Sequence, residues 1–214
     1  PAPSVIDPPK YPSTHFLSCT SRYNVFANIL AVLSPSDFSK VFPGFFKIRV
    51  LRLPLLFPPL YDAVILAPQM AETAQWVNAP YESGQYRTAE VPESTELTTV
   101  ISIISYIKSF CNIDEDRVYA VGTSMGGFGV WDLLTRHGKL FAAGIPVCGG
   151  CDVTHAASLA QIPVWAFHGS EDTAVSPDGD RLMYACIRKN GGLLLFIQGI
   201  ENILHGLLIT FGVL

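Results

Sequence analysis

Charged residues are scarce in this sequence of 214 residues, where they make up 15% of the chain, against about 25% in an average soluble domain. The 14 basic and 18 acidic residues leave a net charge of −4. That balance argues against nucleic acid as a partner, because nucleic-acid-binding proteins usually present a basic face. Hydrophobic residues reach 49%, which excludes a disordered chain and is enough for a sizeable core.

The two ends of the chain lack residue types that its middle contains. Residues 1–60 hold 10 of the 16 prolines but only one of the 17 glycines and two of the 18 acidic residues, and residues 192–214 hold one charge, Glu201. The length fits one domain. We therefore expect a single domain over residues 1–214, with 1–60 and 192–214 atypical in composition.

Signals for a membrane span or for export are also missing. The tail 192–214 is long enough to cross a bilayer, but Gln198, Glu201, Asn202 and His205 lie in its centre and would be costly there. We expect no membrane span, and the apolar termini can instead form a contact in a homo-oligomer. The start shows no signal peptide and no initiator Met, which slightly favours a mature secreted form over a cytoplasmic one.

The five cysteines define neither a disulfide framework nor a metal site. Cys148 and Cys151 have the spacing of a zinc or redox pair, with His155 four residues further on. A structural zinc site usually needs a second pair of ligands, which the sequence does not contain. A redox motif would open a helix, whereas this pair follows a predicted strand. We therefore expect buried or incidentally paired cysteines and no metal.

The middle of the chain alternates predicted strands and helices. Short apolar runs predict strands at 62–67, 117–121, 141–147, 163–167 and 193–197. Helical spacing, a cap or a glycine stop predicts helices at 94–111, 128–137 and 178–189. Residues 72–93 are predicted to form a long loop. This alternation indicates an α/β fold with a mostly parallel sheet and helices on both faces.

The motif Gly122-Thr123-Ser124-Met125-Gly126 lies between a predicted strand and a predicted helix. A sharp turn from strand to helix needs glycines beside its central residue, because a Cβ there would clash with neighbouring backbone. Such a turn exposes Ser124 Oγ at the carboxyl end of the strand. The helix N-terminus then favours developing negative charge, with the Met125 N–H as first oxyanion donor. The context therefore predicts that Ser124 is a nucleophile.

A nucleophilic serine needs a base and an acid that orients the base. On this architecture the chain order is Ser, then Asp or Glu, then His. Asp172 follows a predicted strand and is the expected acid, with Glu171 and Asp152 as alternatives. His205 is the only histidine after Asp172 and is the expected base. His168 precedes the acid and is predicted to be structural.

Residues 62–192 resemble the esterase and predicted-peptidase branch of the α/β-hydrolase superfamily, related to polyhydroxybutyrate depolymerases and to feruloyl and acetyl-xylan esterases. The resemblance implies that Ser124 is the nucleophile, that Asp172 is the acid, and that Trp76 lies on a loop near the acyl or alcohol pocket. It implies no metal or organic cofactor. The matching segments are 67–69, 75–76, 116–119, 122–131, 146–150, and 163–169 followed by Asp172.

Two parts of that family's pattern are missing. Its members usually follow an apolar strand with His-Gly and a glycine-rich loop that gives the second oxyanion donor. Here the strand candidate at 53–57 precedes Pro58 and Pro59, which have no N–H. The family's histidine usually follows Gly-x-Gly, and His205 does not. One hypothesis is that both ends depart from the native reading frame, and the alternative is a divergent enzyme with a rebuilt oxyanion hole.

The sequence therefore predicts a serine carboxylesterase that hydrolyses small-molecule carboxylic esters through a Ser124–His205–Asp172 triad and an acyl-enzyme. A serine peptidase of the same fold is one alternative, because the same residues cleave amides when the histidine protonates the leaving amine. A catalytically impaired hydrolase fold that serves as a binding protein is the other.

Overall fold

The computed structural model describes residues 27–29, 49–51, 65–69, 74–109 and 113–199. Within these residues, seven strands numbered in chain order form one sheet, in the order β2-β3-β1-β4-β5-β6-β7. The strands are β1 Ala27–Ile29, β2 Arg49–Leu51, β3 Ile65–Ala67, β4 Tyr119–Thr123, β5 Ala143–Val147, β6 Val164–Gly169 and β7 Leu194–Gly199. The helices are α1 Thr95–Lys108, α2 Met125–His137, α3 Ala156–Leu159 and α4 Asp178–Lys189. The strand candidate at 53–57 lies outside the described residues.

The sheet has a parallel half and an antiparallel half. Strands β4 to β7 pair in parallel, with Thr123 opposite Val147 and Val147 opposite Phe167. Strand β1 is antiparallel to both β3 and β4, and β2 is antiparallel to β3. The predicted alternation of strands and helices is confirmed through the parallel half. Because parallel strands end at the same edge, the segments that follow β4, β5 and β6 share one side of the sheet.

Two helices have the amphipathic pattern that predicts them. Helix α1 begins after Ser94, whose Oγ accepts the Leu97 N–H at 3.1 Å, and it buries five apolar residues spaced three or four apart. Helix α4 begins with Asp178 and Asp180 in its first turn and ends with Arg188 and Lys189, as the helix dipole favours. Both predicted helices are confirmed. No helix within the described part of the chain is long and apolar enough to cross a bilayer.

Helix α2 differs from its prediction at its start. It begins at Met125, three residues before the predicted first residue, Phe128. Gly126 and Gly127 have low helix propensity, but here they are helical because the chain enters the helix directly from β4. Leu133, Leu134 and Trp131 are almost fully buried, and the helix packs on β4 and β5. Helix α2 therefore lies in the centre of the core.

Candidate active site

The turn between β4 and α2 holds Ser124 in a backbone conformation that is rare for a residue with a side chain. Ser124 has φ 53° and ψ −116°, outside the regions that L-residues ordinarily occupy. Its N–H donates to the Val147 carbonyl at 2.7 Å, and its carbonyl accepts the first hydrogen bond of the helix from the Phe128 N–H. Its side chain makes no capping hydrogen bond to α2. The strained turn is the geometry that the motif predicts.

Glycines around this turn allow backbone to approach backbone. A Cβ on Gly127 would lie 2.6 Å from the Val147 carbonyl oxygen, and one on Gly122 would overlap the Gly126 carbonyl. A Cβ on Gly149, just after β5, would overlap the Gly127 carbonyl carbon. Each obstacle is main chain, which cannot rotate away as a side chain could. The turn therefore requires glycine at these positions.

Met125 is the first residue of α2. Because the first intrahelical bond is that of Phe128, the amides of residues 125–127 belong to the helix end whose N–H groups have no partner within the helix. That end carries partial positive charge beside Ser124. The role of the Met125 N–H as an oxyanion donor stays a prediction.

Asp172 lies in the loop after β6, on the sheet edge where β4 ends at Thr123. Its Oδ1 accepts the backbone N–H groups of Ala174 at 2.9 Å and Val175 at 3.0 Å. Its Oδ2 lies 3.6 Å from Nε2 of His168, and its side chain is 9% exposed. Asp172 and Ser124 thus follow strands that are separated only by β5.

The two alternative acids have different surroundings. Glu171 is exposed. Asp152 is buried, and its carboxylate accepts backbone and hydroxyl hydrogen bonds from both Thr88 and Thr154. Burial raises the pKa of Asp152, but these hydrogen bonds outweigh it and lower the pKa to about 2. They commit the Asp152 carboxylate to holding the loop that contains Thr88.

Three of the five histidines lie in the described residues, and each has a polar partner. His137 Nε2 lies 2.6 Å from Glu93 Oε1, and His155 Nε2 lies 2.8 Å from Thr88 Oγ1. His168 lies within β6 and is fully buried, as its predicted structural role requires. The predicted base, His205, lies outside the described residues, so its role stays a prediction.

Trp76 is packed in the core. Its side chain is 2% exposed, and a Cβ on Gly129 of α2 would lie 3.0 Å from its own Cβ. The Trp76 carbonyl accepts the Ser94 hydroxyl at 2.7 Å. These contacts make Trp76 a spacer between α2 and the start of α1. Its predicted contact with substrate stays a prediction.

A buried polar cluster lies behind the Asp172 loop. The sequence did not predict it. Nδ1 of His168 lies 2.8 Å from Asp180 Oδ2, and Nε2 lies 3.1 Å from the Val175 carbonyl oxygen. The Trp131 Nε1–H donates to Asp180 Oδ1 at 2.9 Å. Burial lowers the pKa of His168, but the hydrogen bond and charge of Asp180 outweigh it and raise the pKa. Trp131, Asp180 and His168 lie on three separate elements, so no sequence periodicity connects them.

Cys148 lies beside this cluster at the end of β5. It has φ 50°, and its N–H donates to the Phe167 carbonyl at 2.8 Å. Its sulfur, a ring nitrogen of His168 and an oxygen of Asp172 lie within 4.8 Å of one another. Metal binding would need a thiolate and a free nitrogen, whereas burial raises the pKa of Cys148 to about 12 and both His168 nitrogens have partners. Cys148 and Cys151 are both buried, which is one of the two predicted alternatives, and both are free thiols.

Comparisons with known proteins find one family profile and several solved structures that are similar to this chain. The sequence profile of the prolyl oligopeptidase family matches residues 93–175. A thermostable esterase of known structure is 32% identical, with a TM-score of 0.55, over 62% of this chain and 34% of that chain. An acylaminoacyl peptidase of Pyrococcus horikoshii is 16% identical, with a TM-score of 0.45, over 50% of this chain and 23% of that chain. A variant of SOBER1 from Arabidopsis thaliana is 14% identical, with a TM-score of 0.44, over 64% of this chain and 66% of that chain.

The sheet topology, the turn at Ser124, the family profile and the esterase match define an α/β-hydrolase fold. The match to the prolyl oligopeptidase profile and the match to the esterase indicate an α/β-hydrolase superfamily member. The chain spans about a third of the length of the esterase that it matches, 34%. A search among curated proteins finds no match.

Proposed function

We propose that the protein is a serine carboxylesterase in which Ser124 is the nucleophile, His205 the general base and Asp172 the acid that orients it. The Met125 N–H is the proposed first oxyanion donor. The observation that carries the proposal is the conformation of Ser124. A φ of 53° at a residue between a strand and a helix costs about 1–3 kcal/mol and is retained mainly at functional sites.

The proposed reaction has two balanced halves. Ser124 Oγ attacks the ester carbonyl carbon while its proton passes to the His205 imidazole, and the oxyanion faces the Met125 N–H. The carbonyl re-forms, the bond to the alcohol oxygen breaks, and the imidazolium protonates that oxygen. Water then attacks the acyl-enzyme by the same steps, which releases the carboxylic acid and restores the Ser124 hydroxyl.

The resemblance to a known esterase supports an ester as the substrate. That esterase is 32% identical to this chain over 62% of its length.

A second candidate function is a serine peptidase. The prolyl oligopeptidase family profile, which covers both Ser124 and Asp172 within residues 93–175, favours it. The same residues would act on an amide, with the imidazolium protonating the leaving amine. The rates for a short p-nitrophenyl ester and for a peptide p-nitroanilide, measured on one preparation, separate the two functions.

The test of the proposal is Ser124→Ala, assayed with short-chain p-nitrophenyl esters and checked for folding by circular dichroism. We expect kcat to fall by about 10⁶-fold, the scale for loss of a nucleophile in this mechanism. Ser158→Ala is the control, because Ser158 is an exposed serine bonded to the His155 carbonyl. Unchanged hydrolysis by folded Ser124→Ala would contradict the proposal.

A further inference from the structure

We infer that His168, held by Asp180 and Trp131, is a positioning residue that fixes the Asp172 carboxylate, an inference that rests on the proposed role of Asp172 in the triad. Side chains of these three residues are at most 1% exposed. None of them needs to touch substrate for this role. They would act through the backbone of Val175.

Val175 connects His168 to Asp172. Its N–H donates to Asp172 Oδ1 at 3.0 Å, and its carbonyl oxygen lies 3.1 Å from His168 Nε2. Val175 is itself 4% exposed. A shift of the imidazole would therefore move the Val175 peptide, and with it one of the two amides that hold Oδ1.

The partners of His168 determine where its protons lie. A carbonyl oxygen can only accept a hydrogen bond, so Nε2 must carry a proton toward Val175. The other nitrogen, Nδ1, lies 2.8 Å from Asp180, and one proton lies between them. That proton is either on Nδ1, which gives an imidazolium beside a carboxylate, or on Asp180, which gives a neutral imidazole beside a carboxylic acid. Nε2 therefore donates to the Val175 carbonyl in both forms.

Asp180 connects the cluster to the helix that follows Ser124. Trp131 lies in α2, and its indole N–H can only donate, here to Asp180 Oδ1 at 2.9 Å. Asp180 lies in the first turn of α4. The hydrogen bonds thus run from α2 to α4, to β6 and to the Asp172 loop, and they fix that loop relative to the helix that begins beside Ser124.

His168 also faces the other oxygen of Asp172. Nε2 lies 3.6 Å from Oδ2, which is too long for a hydrogen bond but short enough for charge attraction.

Two substitutions at Asp180 distinguish a role in positioning Asp172 from a role in core packing alone. In Asp180→Asn the amide oxygen can accept the Trp131 N–H and the amide nitrogen can donate to Nδ1, so both hydrogen bonds survive with a neutral imidazole. Asp180→Leu removes both. We expect Asp180→Leu to lower kcat by about 100-fold, the cost of misplacing a group by about 1 Å, with KM changed by less than about threefold because ground-state binding is untouched.

Asp180→Asn is expected to retain kcat within about threefold of wild type, a rescue that depends on the hydrogen bonds. Equal loss of kcat in both variants would overturn the inference. If Asp180→Leu does not fold, Trp131→Phe replaces it, because that variant removes one donor and should lower kcat in the same direction by a smaller factor.

Asp132→Leu is the matched control. Asp132 is also 1% exposed and lies in α2, but its partners are Tyr86 and Arg136. Its loss should lower the melting temperature while kcat stays near the wild-type value. A drop in kcat equal to that of Asp180→Leu would show that any buried aspartate has this effect, and would overturn a positioning role for His168.

A crystal structure of Asp180→Leu tests the inference without reference to activity. We expect the segment 170–177 to shift and Asp172 Oδ1 to lose its Val175 contact. An unmoved Asp172 would overturn the inference even in an active enzyme. If the wild type hydrolyses no ester while Asp172 moves in the variant, the proposed function fails and the positioning role stands.

Discussion

The turn that carries Ser124 and the loop that carries Asp172 lie at the same sheet edge but are held in different ways. Around Ser124, glycines let main chain contact main chain, and a Cβ at Gly127 or Gly149 would overlap backbone. Around Asp172, hydrogen bonds from Ala174 and Val175 fix the carboxylate, and a buried polar cluster lies behind them. One region is fixed by steric exclusion and the other by polar contacts.

The difference teaches how each region should respond to substitution. Where backbone packs directly on backbone, even the smallest added side chain forces the main chain apart, so no substitution has a mild effect. A hydrogen-bonded arrangement can be altered by one donor or acceptor at a time, and an isosteric amide can preserve part of it. We therefore expect an abrupt response at the turn and a graded one at the loop.

Among the substitutions that test this comparison, the largest effect is expected for Asp172→Asn. Asparagine Oδ1 can still accept the Ala174 and Val175 amides, so the loop should keep its shape while the negative charge is lost. We expect kcat on a p-nitrophenyl ester to fall by about 10⁴-fold, as when a triad acid becomes an amide. The melting temperature should change little.

Glu171→Gln accompanies it, because Glu171 is the neighbouring exposed carboxylate. We expect near wild-type kcat for Glu171→Gln. If this variant loses activity and Asp172→Asn does not, the acid has been assigned to the wrong residue.

The next effect is expected for Gly149→Ala, which probes the steric side of the comparison. The new Cβ would overlap the Gly127 carbonyl carbon and lie 2.8 Å from Gly127 Cα. We expect the free energy of unfolding, measured in urea, to fall by about 3 kcal/mol. Ester hydrolysis should fall with it, since the turn at Ser124 must move.

Gly191→Ala is the control for conformational strain alone. Gly191 has φ +76°, but a Cβ there would meet nothing within 4 Å. Its substitution should cost about 1 kcal/mol and leave ester hydrolysis intact. Equal losses of stability at positions 149 and 191 would remove the steric explanation.

The smallest effect, a change in stability, is expected for substitution of Asp152. Its carboxylate accepts hydrogen bonds from Thr88 and Thr154, and the proposed reaction does not use it. Its pKa, about 2 in the folded state, lies below its unfolded value, so its ionised form stabilises the fold above about pH 4. That contribution, about 2 kcal/mol, should disappear as the pH falls from about 4 through about 2.

The measurement is the difference in unfolding free energy between wild type and Asp152→Asn across this range of pH. We expect the wild-type advantage to shrink toward acid pH. A difference independent of pH would mean that the threonine hydrogen bonds do not depend on the charge of Asp152.

The sequence predicted those parts of the fold that local patterns control. Helix α4 begins at Asp178 and ends at Lys189, as predicted, because apolar spacing and the Gly191-Gly192 stop are both local signals. Strand β4 begins at Tyr119, two residues late, because Glu115–Arg117 forms a short 3-10 turn capped by Asp114. Such boundary shifts reflect capping contacts that propensity alone does not resolve.

The sequence predicted less of the site. The turn at Ser124 has a local motif, but the contact of Trp131 with Asp180 joins residues 49 positions apart, and nothing along the chain marks it. Trp76 is a similar case, because a tryptophan in a long polar stretch gives no sign of whether its ring faces a pocket or the core. Long-range packing decides both, and it arises only once the sheet has formed.

The most direct test of the central claim is covalent labelling of the wild-type chain with a fluorophosphonate probe, followed by mapping of the modified residue by mass spectrometry. Only an activated serine reacts with such a probe. The account predicts one adduct, on Ser124, and none on Ser124→Ala. An unmodified chain, or an adduct on a different serine, would contradict it.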